Sequence, residues 1–117
     1  MKKIIIIEDD TDTLDLIEYI LREHGYAVIK ANRLVSVAEI ISLTPHLVIL
    51  DVQTPYRLGS DLCLEIKRNP DSKHLPVILY SANGNLKNIA RDSMADAYLE
   101  KPFDVDGLIQ IVKQTIL

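Results

Sequence analysis

Five polar residues in this sequence stand at the ends of apolar runs, and together their types could carry out chemistry that none could alone. Glu8 and Asp9 follow Ile4–Ile7, Asp51 follows Leu47–Leu50, Ser81 follows Pro76–Tyr80, and Lys101 follows Ala97–Glu100. Three carboxylates gathered at one place repel each other and stay ionised only beside a cation or a lysine. Hard oxygen ligands of this kind suit Mg²⁺, which keeps several waters and readily takes a phosphate oxygen. A carboxylate can itself be the nucleophile of a phosphoryl transfer, giving an acyl phosphate. Metal and lysine would offset the charge on the transferring oxygens, with Lys101 as a compact point charge on Asp51 or its phosphoryl group. Wet loops alone would give a random mixture of polar residues. They would not place acids after two runs, a hydroxyl after a third, and a lysine joined to a proline after a fourth.

These side chains can meet only if the apolar runs are strands of one sheet. Lys3–Ile7 and Leu47–Leu50 are apolar without alternation, as befits strands covered on both faces. Tyr26–Ala31, Pro76–Tyr80 and Ala97–Glu100 supply three more. Between them run helical patterns: Thr11–His24 closed by Gly25, Leu34–Leu43 with Val37, Ala38 and Ile41 inward, and Leu58–Arg68 with a stripe of Leu62, Cys63 and Ile66. A short segment, Leu86–Ser93, and a final helix from Val105 with Leu108, Ile109, Val112 and Ile116 on one face complete the set. Strictly alternating strands and helices predict an α/β fold, (βα)₅, with a parallel sheet and helices on both faces. Ligand sites in such sheets lie at the carboxyl ends of the strands, where all five residues fall.

Composition excludes several classes. With 48% hydrophobic and 26% charged residues, the 117-residue chain has enough apolar content for one core and too much for a disordered segment. The net charge of −4, with no basic cluster, predicts no direct nucleic-acid binding. No apolar run nears the roughly 20 residues that span a bilayer, so no membrane association and a cytoplasmic location are expected. The single cysteine, Cys63, lies among leucines and reads as a small core hydrophobe. His24, His46 and His74 share no motif and read as structural or surface residues. Without a linker or repeat, one domain is expected over residues 1–117, with no output domain.

Four segments together resemble one family, the receiver domains of two-component response regulators. Ile4–Ile7 with Glu8-Asp9-Asp10 resembles their opening strand and acid cluster. Asp51-Val52-Gln53-Thr54-Pro55-Tyr56-Arg57-Leu58-Gly59 resembles their phosphoacceptor loop, with Pro four and Gly eight residues after the Asp. Leu79-Tyr80-Ser81-Ala82 and Tyr98-Leu99-Glu100-Lys101-Pro102-Phe103 resemble the hydroxyl-Ala and Lys-Pro-Phe motifs. The resemblance implies a three-layer, flavodoxin-like sheet of order 2-1-3-4-5. It implies that Asp51 accepts a phosphoryl group from a sensor histidine kinase or histidine phosphotransfer protein. Glu8, Asp9, Asp51 and the backbone carbonyl of Gln53 would hold Mg²⁺, and Lys101 and Ser81 would contact the phosphoryl group. Movement of Ser81 and an inward turn of Tyr98 would switch the face made by the fourth helix, fifth strand and fifth helix. That face would signal to an effector protein or a fused output domain, or pair in a dimer. Gln53 and Asn83 occupy positions that tune the phosphoryl lifetime. The catalysis implied is self-phosphorylation and autodephosphorylation, not turnover of a substrate. Lys101-Pro102 would be a cis peptide, and Asp10 a cap of the first helix rather than a third site acid.

The chain also departs from the family. Only 20 positions separate Ser81 from Lys101, the fourth helix is barely two turns, Met94-Ala95 stands where a Gly is usual, and Thr54 replaces a common Met. The fourth helix is therefore expected to be short, displaced or mobile. The main alternative is a degenerate receiver that binds proteins without phosphate. An aspartyl-nucleophile phosphatase would need a second acid two residues after Asp51, where Gln53 stands, and a flavodoxin-like nucleotide binder would need a Gly-rich first loop where acids stand instead.

Overall fold

In the computed structural model, residues 1–55 and 57–116 are described; Tyr56 of the loop after Asp51 and Leu117 at the apolar chain end lie outside them. Five parallel strands, β1 (Lys3–Ile7), β2 (Ala27–Ala31), β3 (Leu47–Asp51), β4 (Val77–Ser81) and β5 (Ala97–Glu100), lie in the order β2-β1-β3-β4-β5. The helices that join and follow them are α1 (Thr11–Glu23), α2 (Val37–Leu43), α3 (Gly59–Arg68), α4 (Leu86–Asp92) and α5 (Val105–Thr115). This is the three-layer, flavodoxin-like arrangement expected.

The uninterrupted apolar strands are explained by two cores, one on each face of the sheet. Ile5, Ile7, Val48, Leu50, Val77 and Leu79 point toward α2, α3 and α4, where they meet Ile40, Leu62, Cys63, Ile66, Leu86 and Ala90. Ile4, Ile6, Leu47, Ile49, Ile78 and Tyr80 point the other way, onto Leu14, Ile17 and Leu21 of α1 and Leu108, Ile109 and Val112 of α5. Successive strand residues alternate between the faces, so a strand buried on both is apolar at every position. Among the described residues no helix is long and apolar enough to cross a membrane.

Two boundaries differ from expectation for identifiable reasons. The second helix begins at Val37, not Leu34, because the Ser36 hydroxyl accepts the Glu39 N–H (3.1 Å) and caps it there. The Ser-Val-Ala-Glu spacing was the available signal. Ala38 consequently faces solvent, and Val35 and Ile40 take the inward places. The fourth helix is as short as expected, yet it is seated in the core by Leu86 and Ala90.

Helices α1 and α4 end in the same hydrogen-bond pattern. Gly25 N–H donates to Arg22 O and Tyr26 N–H to Leu21 O; equivalently, Met94 N–H donates to Arg91 O and Ala95 N–H to Ala90 O. This Schellman ending requires a left-handed residue, and Gly25 (φ 88°) supplies it freely. At α4 the same place is held by Met94 (φ 64°), at a conformational cost of about 1 to 2 kcal/mol for a residue with a Cβ. The Met94 side chain is 54% exposed, so little packing is lost on its removal. Met94→Gly is therefore expected to stabilise the domain by about 0.5 to 1 kcal/mol after the greater unfolded-state freedom of glycine is set against it, read as a raised urea midpoint at unchanged slope.

Candidate functional site

The carboxyl ends of the two central strands bring the acids together. β1 and β3 pair in register, Ile7 beside Leu50, so Glu8 and Asp51 emerge side by side. Both are buried, at 1% and 6% exposure, while Asp9 is exposed. Glu8, Asp9 and Asp51 each present a carboxylate oxygen within 4.8 Å of the others. Lys101 reaches the same place from β5: its Nζ lies 3.4 Å from Asp51 Oδ2 and 3.5 Å from Glu8 Oε1. Its backbone N–H donates to Ser81 O (2.9 Å), which continues the β4–β5 pairing to the site's edge, and the Lys101–Pro102 bond that follows is cis, as expected.

The loop after Asp51 folds back over it. Gln53 N–H donates to Asp51 Oδ1 (3.2 Å), and Gly59 N–H donates to Val52 O (2.7 Å). Gly59 opens α3 so close to β3 that a Cβ there would stand 2.2 Å from Asp51 O. The Asp-to-Gly spacing in the sequence thus records a close approach of two backbones, one of them the backbone of Asp51 itself.

The electrostatics of the cluster are uncompensated. Burial, then hydrogen bonding to Asp51 and repulsion by its charge, push the Glu8 carboxyl up to about 8, with Lys101 opposing the rise. One lysine does not neutralise the buried acids, so Glu8 retains a proton at neutral pH. A small dication with oxygen ligands would relieve that excess, and three carboxylates within 4.8 Å form a donor set that fits Mg²⁺.

The other residues that the sequence singles out are found in differing states. Ser81 is buried at the end of β4, and its hydroxyl accepts the Asn83 N–H (3.1 Å), which leaves the hydroxyl hydrogen free to donate. Asn83 is half-buried, and its side chain accepts the Asn85 N–H (2.8 Å). Tyr98, paired with Leu79 in the ladder, is 36% exposed, in an outward position. Asp10 caps α1, accepting from the Thr13 N–H (3.2 Å). Cys63 is fully buried, and burial pushes its thiol up to about 11. His24 contacts Ile20 O one helical turn back, and His46 Nδ1 accepts the Lys3 N–H from β1.

Sequence reasoning gave no role to Tyr80. Its side chain lies against the site, with the Lys101 ammonium 4.6 Å from its ring centroid. Its hydroxyl is buried without a well-formed hydrogen bond, although it faces Glu8 closely enough to interact. Burial and the neighbouring acids raise the phenol far above its ordinary range, so it stays protonated. The one signal was an aromatic residue closing an otherwise aliphatic strand.

Comparison with known proteins points one way. Residues 4–113 match the family described as the response regulator receiver domain. The chain is 34% identical over 116 residues to the DNA-binding dual master transcriptional regulator RpaA of Synechocystis, a match covering 97% of this chain and 48% of that protein. It resembles the structure of the response regulator TrrA from Thermotoga maritima in complex with Mg²⁺-BeF, at 29% identity and a TM-score of 0.84 over 97% of this chain and 98% of that one. A response regulator receiver domain protein from Clostridium thermocellum is similar at 29% identity and a TM-score of 0.82, over 97% and 93%. The chain spans about half the length of the curated relatives it matches.

Two expectations follow from the geometry. Glu8 holds its proton in the folded chain between about 4.5, its ordinary value, and about 8, whereas the unfolded chain has released it. Its contribution to metal-free stability therefore falls as pH rises through that window. Unfolding measured at several pH values should show this decline in the parent chain and a flatter profile in Glu8→Gln, or in the parent with millimolar Mg²⁺. Separately, Gly59→Ala forces α3 off the Asp51 carbonyl and should destabilise the domain by about 2 kcal/mol or more in urea unfolding.

Proposed function

Because the chain belongs to the response-regulator receiver family, we propose that Asp51 is its phosphoacceptor and that phosphorylation there switches a protein-binding face. The observation that carries this reading is the meeting of Lys101 Nζ with Asp51 Oδ2 (3.4 Å) inside a rim that also holds Glu8 and Asp9. A carboxylate oxygen of Asp51 attacks phosphorus, the bond from phosphorus to the donor's imidazole nitrogen breaks, and the imidazole leaves to be protonated by solvent. Lys101 offsets charge on the phosphoryl oxygens, and the hydroxyl hydrogen of Ser81 is free to donate to one of them. Glu8, Asp9, Asp51 and the Gln53 carbonyl are the residues that would hold Mg²⁺, which when bound supplies Lewis-acid stabilisation of the transferring oxygens. Gln53 and Asn83, beside Asp51 and Ser81, tune how readily water reaches the acyl phosphate.

The partners follow from the surfaces around the rim. An open groove lined by Thr13, Leu16, Ala82, Lys101, Pro102 and Phe103 adjoins the site, with Leu16 55% exposed, and it suits a histidine kinase or phosphotransfer protein. Tyr98 lies on the same face of the sheet as Leu79 and Ser81 and is the residue through which a shift of Ser81 would reach α4, β5 and α5. An effector protein, a fused output domain or a second copy would read that face.

Incubation with Mg²⁺ and acetyl phosphate, followed by intact mass measurement, tests the reading. One added phosphate is expected in the parent chain and none in Asp51→Asn. No adduct in the parent with any small donor would mean a degenerate receiver. Sustained release of phosphate from unrelated esters would mean a phosphatase.

A further inference from the structure

We propose that Tyr80 is a positioning residue of the phosphoacceptor site, its ring face seating the Lys101 ammonium and its hydroxyl reserved for the Glu8 carboxylate. The inference rests on the phosphoacceptor reading above. The lysine's ion pairs are loose. At 3.4 Å and 3.5 Å, its contacts with Asp51 and Glu8 both exceed the 2.7 to 2.9 Å of a tight charge-assisted hydrogen bond, so neither acid fixes the amine. Lysine is a point charge on a flexible stem, and this one is 30% exposed. The third contact is the Tyr80 ring, with Nζ 4.6 Å from its centroid, where the negative face of the ring attracts a cation.

That ring is itself held. It is 1% exposed, and the Phe103 ring packs on it nearly perpendicular, at 88° and 6.2 Å between centroids. Phe103 and Lys101 lie two residues apart in the loop after β5, so the loop grips one ring at two points, by the ammonium and by an aromatic neighbour. A phenylalanine would serve the core and the ring contacts equally well. The hydroxyl is therefore the informative atom: among the described residues, Tyr80 Oη is the buried side-chain polar atom left without a hydrogen bond, and it faces Glu8. An unsatisfied donor in a buried site is costly unless a working state of the site satisfies it.

The test reads the lysine directly, without metal. In the parent protein, NMR should show the Lys101 ε-methylene protons shifted upfield by the Tyr80 ring current. Tyr80→Phe should keep that shift and weaken Mg²⁺ binding, followed by titration, about 3-fold. Tyr80→Leu should abolish the shift and slow acetyl-phosphate labelling of Asp51 about 10-fold at saturating Mg²⁺. Lys101 protons at random-coil positions in a parent protein that labels normally would overturn the proposal, as would a Mg²⁺ affinity unchanged in Tyr80→Phe. Both of these need only the parent and the phenylalanine variant, so a leucine variant that failed to fold would not shield the idea. Absence of labelling in a parent that does show the ring-current shift would instead overturn the phosphoacceptor reading.

Discussion

The site depends on one electrostatic imbalance: two carboxyl groups, Glu8 and Asp51, are buried side by side with a single lysine between them. Taking charge out of water is expensive, and one ammonium at about 3.5 Å does not neutralise two acids and a third nearby. The chain accommodates this by leaving a proton on Glu8. A pocket in that condition is ready for incoming positive charge, and equally for an oxyanion that arrives together with it. An affinity for metal and a readiness to take phosphate would thus be two consequences of the same crowding.

The scaffold's task is to keep the crowding from relaxing. Glu8 and Asp51 cannot separate because β1 and β3 are adjacent and their apolar residues are locked into two cores, one on each face. The Asp51 backbone is pinned from outside by α3, whose first residue approaches within the space of a missing Cβ. Its carboxylate is oriented by the Gln53 N–H. By contrast, the residues expected to move are held lightly. Ser81 only accepts a local hydrogen bond from the Asn83 N–H, so its own hydroxyl hydrogen can turn to an incoming acceptor, and Tyr98 stands half outside at the edge of the sheet. Rigid acids with adaptable neighbours suit a switch, because charge arriving at the fixed part can be reported only by the part that is free to shift.

A great deal of this was written in the residues. The unbroken apolar strands could only belong inside a covered sheet, and acids, hydroxyl and lysine at strand ends could only gather at its carboxyl edge. The Asp10 cap, the Gly25 helix end and the core setting of Cys63 were equally legible, since each follows from local chemistry. Where reading failed, it failed over short spans. Helix α2 began three residues late because a serine cap outweighed an apolar pattern, and Ala38 turned outward with it.

What the sequence determined by itself was the type of fold and which side chains gather at the carboxyl edge of the sheet, because periodicity sets secondary structure and strand ends set where polar residues emerge. Tertiary structure alone decided the rest. That Gly59 is needed for the room it leaves beside Asp51, and that Met94 takes a glycine's conformation, are facts about backbones distant in sequence or strained in place. The part played by Tyr80 is of the same kind. In the chain it is one more large residue closing a strand; only when β1, β4 and the loop after β5 come together does its ring lie beneath an ammonium and its hydroxyl beside a buried acid. Contacts among residues so far apart depend on register and packing, which no local pattern encodes.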